Sequence, residues 1–215
     1  MKISLINSNG NLKSFINSLN KINFDKIDII KNEDDVVNSD LIIFPGVGNF
    51  ETAVKTLHNQ KIFYPLIDHI KKGKPYLGVC LGMQILFSTS DETENLPGLN
   101  IFDDKILKIN IENRNHKCIK KLNVGWRKIN FDKKKILYKI FPYDDNYFYF
   151  MHGFFLEKKQ SQFEEYGVLN YGRNKIVSHF VRENIFAFQF HLEKSGPKGL
   201  ELLKSIILYL KKNYK

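Results

Sequence analysis

Four consecutive apolar residues, Leu41-Ile42-Ile43-Phe44, run directly into Pro45-Gly46. A strand without polar positions must be covered on both faces, and sheets covered on both faces are mostly parallel sheets held between helices. The stretches around it supply what such a sheet needs. Ile3 to Ile6 reads as a strand, Gly10-Asn11 as a turn, and Leu12, Phe15, Ile16 and Leu19 then recur at helical spacing. Ile27 to Ile30 is a short strand, residues 53–57 and 63–70 are helix-like, and Leu77 to Val79 is the next strand. This alternation predicts an α/β fold with a central, mostly parallel sheet flanked by helices. Sites in such sheets open at the carboxyl ends of strands. Pro45-Gly46-Val47-Gly48 and Cys80 fall at two such ends.

The second half has a different texture. Residues 105–111, 119–129, 147–151, 166–169, 176–180 and 185–190 read as strands with few helices between them, so additional antiparallel strands are expected. The chain closes on a helix. Ser195 is its expected N-cap, Pro197 lies in the first turn, Leu200, Leu203, Ile207 and Leu210 form one apolar face, and Lys211-Lys212 sit at the C-terminal end. No linker, repeat or low-complexity stretch interrupts the 215 residues, and one domain over 1–215 is expected.

Gly78-Val79-Cys80-Leu81-Gly82 follows the strand ending at Val79 and precedes a helix-like segment, Met83 to Phe87. That is the strand-turn-helix order of a nucleophile elbow, with sulfur in place of oxygen. The glycines let the backbone turn sharply, and free N–H groups at the helix start favour thiolate over thiol. The same pentapeptide fits a cysteine buried in the core, and alone it does not decide between the two.

A cysteine nucleophile needs a histidine, and the histidine needs a group to orient it. Of the six histidines, His191 ends the apolar run Ile185 to Phe190 at a strand's carboxyl end, with Glu193 two residues on. In an extended backbone these two side chains share a side. His58 and His69 sit in polar, helix-like settings and read as solvated, and His179 reads as structural. His116 and Cys118 have no second pair to complete a zinc set, so no metal site is expected.

Composition bounds the function. Hydrophobic residues make up 43% of the chain and charged residues 26%, as in an ordinary packed core. No apolar run is long enough to span a bilayer, and the N-terminal run is too short for a signal peptide. Two cysteines are too few for a disulfide framework, which fits a reducing cytoplasm. The net charge of +10 comes from scattered lysines without an aromatic-interleaved basic stripe or a nucleic-acid-binding motif, so a nucleic-acid partner is not expected.

Three blocks in order, Phe44-Pro45-Gly46-Val47-Gly48, Gly78 to Gln84 and Gln189-Phe190-His191-Leu192-Glu193-Lys194-Ser195, resemble the class I (triad) glutamine amidotransferases. Within that class, residues 45–50, Gly125-Trp126 and residues 147–152 resemble the glutaminase subunits of imidazole glycerol phosphate synthases, and the length leaves no room for a fused synthase domain. The resemblance implies a Cys80–His191–Glu193 triad that hydrolyses glutamine without a cofactor. It implies an oxyanion hole from Leu81 and the Val47-Gly48 strand, the latter able to flip its peptide in response to a partner's ligand. It also implies substrate contacts at Gly46, Gln84, His152 and Gly153. Trp126, Tyr149 and Lys194 match positions at a partner interface, the partner being a (β/α)₈ cyclase that forms a heterodimer and receives the ammonia through a closed channel.

The chain departs from the family pattern at several points. Leu192 stands for the usual proline between histidine and glutamate. Leu122-Asn123-Val124 stands for Pro-His-Met, and Arg127 for an asparagine. Gly98-Leu99-Asn100 stands for Gly-Leu-Gly, Asn7-Ser8-Asn9 for Asp-Tyr-Gly, and Gly153 for a serine or threonine. A paralogous subunit that feeds ammonia to another synthase, for example in surface-sugar amidination, keeps the same blocks. A free-standing cysteine γ-glutamyl hydrolase would work without a partner and need a wider pocket. A silent binding subunit would be expected to lack a triad member, and all three are present.

Overall fold

The computed structural model describes residues 1–7, 12–93, 96–110, 121–158 and 163–214. In chain order the elements begin β1 (Ile3–Ile6), α1 (Leu12–Lys21), β2 (Ile27–Ile30), α2 (Glu33–Val37), β3 (Leu41–Phe44), α3 (Phe50–Asn59), α4 (Phe63–Lys71) and β4 (Tyr76–Val79). They continue through α5 (Leu81–Gln84), β5 (Phe87–Ser90), β6 (Phe102–Lys108), β7 (Asn123–Ile129), α6 (Ile136–Ile140), β8 (Asn146–His152) and β9 (Phe154–Leu156). The chain ends with β10 (Glu165–Tyr171), β11 (Asn174–Arg182), β12 (Ile185–Phe188), a 3-10 turn (Leu192–Lys194) and α7 (Gly196–Asn213).

Seven strands form the central sheet in the order β10-β11-β12-β4-β3-β1-β2. Pairing is parallel from β12 through β4, β3 and β1 to β2, and antiparallel where β10 and β11 extend the other edge. The fully apolar β3 lies inside the sheet and is buried at every position. Its Ile42 and Phe44 join one core with α3 and α4, while Leu41 and Ile43 join the opposite core with α1 and α7. The expected α/β architecture is therefore present, with helices on both faces.

Two smaller sheets stand apart: β5-β6-β9, and the antiparallel ribbon β7-β8. The ribbon alternates. Asn123, Ile129, Phe148, Phe150 and His152 face inward, while Val124, Trp126 and Tyr147 face out and are about half exposed. No helix among the described residues is long and apolar enough to cross a membrane.

Several local expectations change. The helix after Cys80 is a single turn, Leu81–Gln84, and Phe87 begins β5 instead. Phe87-Ser88-Thr89-Ser90 pairs with β6, and that ladder ends the helix early. His69 is buried, with Nε2 3.1 Å from the Pro75 carbonyl. Ser195 does not cap α7 with its side chain, because its hydroxyl is spent on the His191 carbonyl and the Tyr149 N–H. Gly10-Asn11, Ser8-Asn9, His116, Cys118 and the segment 111–120 lie outside the described residues.

Candidate active site

β4 and β12 are hydrogen-bonded neighbours, so their carboxyl ends deliver Cys80 and His191 to the same edge of the sheet. The Cys80 N–H completes this ladder on the Phe188 carbonyl at 2.7 Å. Cys80 has φ 52° and ψ −101°, a conformation that L-residues rarely adopt and that costs on the order of 1–3 kcal/mol. The surrounding glycines make the bend feasible. A Cβ on Gly82 would lie 1.9 Å from the Phe44 carbonyl oxygen, and one on Gly78 would lie 2.5 Å from the Gly82 oxygen. Strand β3, strand β4 and the elbow thus pack at backbone contact distance. Below the turn, the buried Tyr76 hydroxyl donates to the Gly82 carbonyl at 2.6 Å.

His191 is fully buried, and its Nδ1 lies 2.8 Å from Glu193 Oε1. The pairing expected from the sequence is present, but the backbone between the two residues is not extended. Leu192, which is buried in the core, opens a 3-10 turn that swings the carboxylate back beneath the ring. A carboxylate accepts only, so Nδ1 carries the proton. Nε2 is left buried without a hydrogen-bond partner, available to the sulfur. Burial pulls the imidazole pKa down, but the Cys80 sulfur and then Glu193 outweigh it and hold the ring above its ordinary value.

A pocket of about 260 Å³ opens beside the sulfur. It falls just below the range for drug-sized ligands, roughly 300–1,000 Å³, and suits a molecule of amino-acid size. Val47, Gly48, Leu81, Gln84, His152 and Gly153 all line it, as do Leu122, Val124 and Met151 of the ribbon segment. Glu92, which carries no motif in the sequence, also lines this pocket. Its carboxylate accepts from Asn49 Nδ2 and from the Phe50 N–H, both at 2.8 Å. It thereby ties the pocket wall to the residues that follow Pro45-Gly46-Val47-Gly48. No spacing signal marks it, because it comes from an irregular loop after β5.

The expected ligand contacts are held unequally. The His152 ring donates from Nδ1 to the Phe154 carbonyl at 2.9 Å, and its Nε2 accepts from Asn123 Nδ2 at 3.0 Å. Burial lowers its pKa to about 4, so the ring is neutral, and both nitrogens are spent on the protein. Asn123 Oδ1 in turn accepts from Arg127 Nε at 3.1 Å. Asn123 and Arg127, two of the departures noted in the sequence, thus work as one unit behind His152. The Leu81 N–H is not free either, since it points at the Gly46 carbonyl, 3.4 Å away. Gly46 itself has no room for a side chain, because a Cβ there would lie 2.9 Å from Leu81 Cβ.

On the outer face of the ribbon, Trp126 and Tyr149 meet edge to face at 5.9 Å. Tyr149 is bridged to His191, whose N–H donates to its carbonyl at 2.9 Å. Gly196, at the start of α7, lies under the Trp126 ring, and Lys194 ends the 3-10 turn just before it. The three residues expected at an interface are therefore neighbours, placed directly behind the histidine.

Among the described residues, no group of three or more His, Cys, Asp or Glu side chains is placed to hold a metal ion. The sequence model of the family described as "Glutamine amidotransferase class-I" matches residues 6–209. The chain belongs to that family. As a class-I glutamine amidotransferase, it is 34% identical to the imidazole glycerol phosphate synthase subunit hisH of Cyanidium caldarium, over 95% of this chain and 97% of that one. It is 30% identical to the imidazole glycerol phosphate synthase hisHF of Emericella nidulans, over 92% of this chain but 36% of that longer protein. A crystal structure of a glutamine amidotransferase superposes with a TM-score of 0.71 at 12% identity, covering 99% of this chain and 98% of that one, a likeness of fold. The class-I glutamine amidotransferase fold expected from the sequence is the fold present.

Proposed function

We propose that this chain is the glutaminase subunit of an imidazole glycerol phosphate synthase, releasing ammonia from glutamine for a cyclase subunit in histidine biosynthesis. The observation that carries the reading is the buried sulfur–imidazole–carboxylate set, Cys80, His191 and Glu193, at adjoining strand ends beside a pocket of amino-acid size. Full-length relatives named as that synthase's subunit supply the biological setting.

The geometry suits the following course. The Cys80 thiolate adds to the side-chain amide carbon of glutamine, and His191 Nε2 gives its proton to the departing ammonia. The ring then takes a proton from water, which attacks the glutamyl thioester and returns the sulfur with glutamate as product. Glu193 holds the ring's tautomer throughout. The Glu92 carboxylate suits the substrate's ammonium group, and the Gln84 amide oxygen, its NH₂ being held by Phe154 and Gln189, suits the N–H of the substrate's side-chain amide.

The developing oxyanion needs N–H donors, and Leu81 can serve only when the Gly46 carbonyl leaves it. Rotation of the Gly46-Val47 peptide would free Leu81 and turn the Val47 N–H toward the same point, with Gly48 at hand. The isolated subunit should therefore be slow.

The partner fits the exposed ribbon face, with Trp126, Tyr149 and Lys194 meeting a (β/α)₈ cyclase in a heterodimer. Nearly the whole of this chain, rather than the ribbon alone, corresponds to about a third of the longer relative named hisHF, as expected if the two activities must adjoin. Ammonia released at the sulfur would pass into the cyclase without meeting bulk water, which would protonate it. A cytoplasmic location, one domain over 1–215 and no cofactor complete the reading.

The test is a glutaminase assay of the purified chain, alone and with a histidine-type cyclase subunit, with and without that subunit's ribonucleotide substrate. Activity low alone and raised manyfold by partner and ligand is expected. Cys80→Ala should abolish it while leaving partner binding intact. Full activity without a partner would favour a free hydrolase, and absence of stimulation a different synthase.

A further inference from the structure

The triad accounts for one side of the Cys80 sulfur. On another side, Gln189 Nε2 lies 3.6 Å from Sγ, and Gln189 is completely buried. Its amide oxygen accepts from Gln84 Nε2 at 3.2 Å, and the same Gln84 nitrogen donates to the Phe154 carbonyl at 2.7 Å. We propose that Gln189 is a further catalytic residue: its amide N–H holds the Cys80 sulfur as a hydrogen-bond acceptor and so stabilises the thiolate. The proposal deepens the glutaminase reading and rests on Cys80 being its nucleophile.

The argument for direction comes from what each group can do. A backbone carbonyl only accepts, so Phe154 obliges Gln84 to present its NH₂. Gln84 Nε2 has one proton left, and it reaches Gln189, so Gln189 must present its oxygen there. The Gln189 NH₂ is thereby turned to the sulfur. The His152 Nδ1–H occupies the same Phe154 carbonyl at 2.9 Å, which closes the other end of the chain of bonds. No member can flip without leaving a buried polar atom unpaired, at a cost of about 1–3 kcal/mol. In the thiol form, Sγ faces the Met151 carbonyl at 3.9 Å, a weaker contact. A thiolate gains from the Gln189 N–H and loses against that carbonyl.

Other charged and titratable groups also act on the sulfur. His191 faces it from the end of β12 with Glu193 behind, and His152 and Glu92 line the same pocket from the end of β8 and the loop after β5. The Gln189 contribution must therefore be read as a difference between variants.

The experiment follows iodoacetamide alkylation of the full chain against pH, with Cys80 and Cys118 scored separately by peptide mass. Gln189→Met keeps the side-chain length and removes the donor. It should raise the pH midpoint of Cys80 alkylation by about one unit, the size of one hydrogen bond to a charged group. It should also lower kcat of the partner-stimulated glutaminase at neutral pH more than it raises KM, with activity recovering toward alkaline pH. Gln84→Met cuts the chain one residue earlier and lets the Gln189 amide turn. It should shift the midpoint by less and raise the glutamine KM by more. If Gln189→Met folds with an unchanged midpoint, the proposal is overturned. If it does not fold, an unchanged midpoint in Gln84→Met overturns it. Alkylation needs no glutamine turnover, so a wild-type chain inactive with every partner would sink the glutaminase reading while leaving this measurement to stand on its own.

Discussion

Gly82 shows how little tolerance there is around the sulfur. A methyl group there would lie 1.9 Å from the Phe44 oxygen, so backbone must shift to admit it, and β3 carries Pro45-Gly46-Val47-Gly48 at its end. Gly82→Ala should lower stability by about 1–3 kcal/mol or more and reduce glutaminase activity beyond that loss, since both the elbow and the Gly46 strand move. Thermal melts alongside kcat would check this, and a variant with normal melting and normal kcat would refute it. Cys80 and His191 are legible in the sequence because each follows an apolar run at a strand's carboxyl end, and Glu193 because it lies two residues beyond His191. Gln189 and Glu92 are not. Gln189 sits inside an apolar run where its neighbours mark it only as core, and its partners lie 109 and 105 residues away in sequence. Serine before a Pro-containing first turn usually caps a helix, but tertiary bonds to His191 and Tyr149 claim the Ser195 hydroxyl instead.

At the scale of elements, the ribbon β7-β8 is the piece with a surface to spare. Leu122, Val124, Trp126 and Tyr147 are all about half exposed along it, while its inner face carries His152 and Asn123. One end of the outer face lines the pocket, and its middle carries Trp126. Trp126→Ala should weaken cyclase binding at least about tenfold, as truncation of a central aromatic anchor does. It should leave the slow glutaminase rate of the isolated chain unchanged. Titration of the two subunits by calorimetry measures the first effect, and an unaltered Kd would move the interface elsewhere. The strand runs are readable here because β8 is a nearly continuous aromatic run and β7 carries Val124, Trp126 and Ile129 between polar residues and a glycine. The length of α5 is not, since Met83-Gln84-Ile85-Leu86-Phe87 fits a helix locally and only pairing with β6 ends it.

At the scale of the whole molecule, three histidines among the described residues are buried and neutral. Burial lowers His179 to about 3 and both His69 and His152 to about 4. His179 lies among the rings of Phe131, Phe188 and Phe190 and over Gly167, where a Cβ would lie 2.2 Å from its ring. An unfolded chain protonates these rings near pH 6.5, whereas the folded chain does not until the lower values are reached. Below about 6.5 the unfolded state binds more protons, so stability falls as pH falls and levels off below about 3. Above 6.5 the three contribute no slope. Melting temperature should therefore drop steeply from pH 6.5 to 4, and His179→Phe should flatten part of that drop; an identical slope in the variant would exclude His179 as a source. The order of the central sheet was only partly readable. Parallel character follows from apolar runs such as β3, but placing β12 beside β4 depends on contacts between distant parts of the chain.

That neighbour relation also governs when the protein becomes reactive. The sulfur belongs to the first half of the chain and the imidazole to the segment just past β12, which fills the gap between β4 and β11. On a ribosome adding about 5–20 residues each second, the thiol emerges on the order of ten seconds before the ring that is to deprotonate it. Through that interval the nascent chain carries an ordinary cysteine. The set is completed only by the residues that follow β12, so a chain broken off in translation before His191 holds no assembled reaction centre.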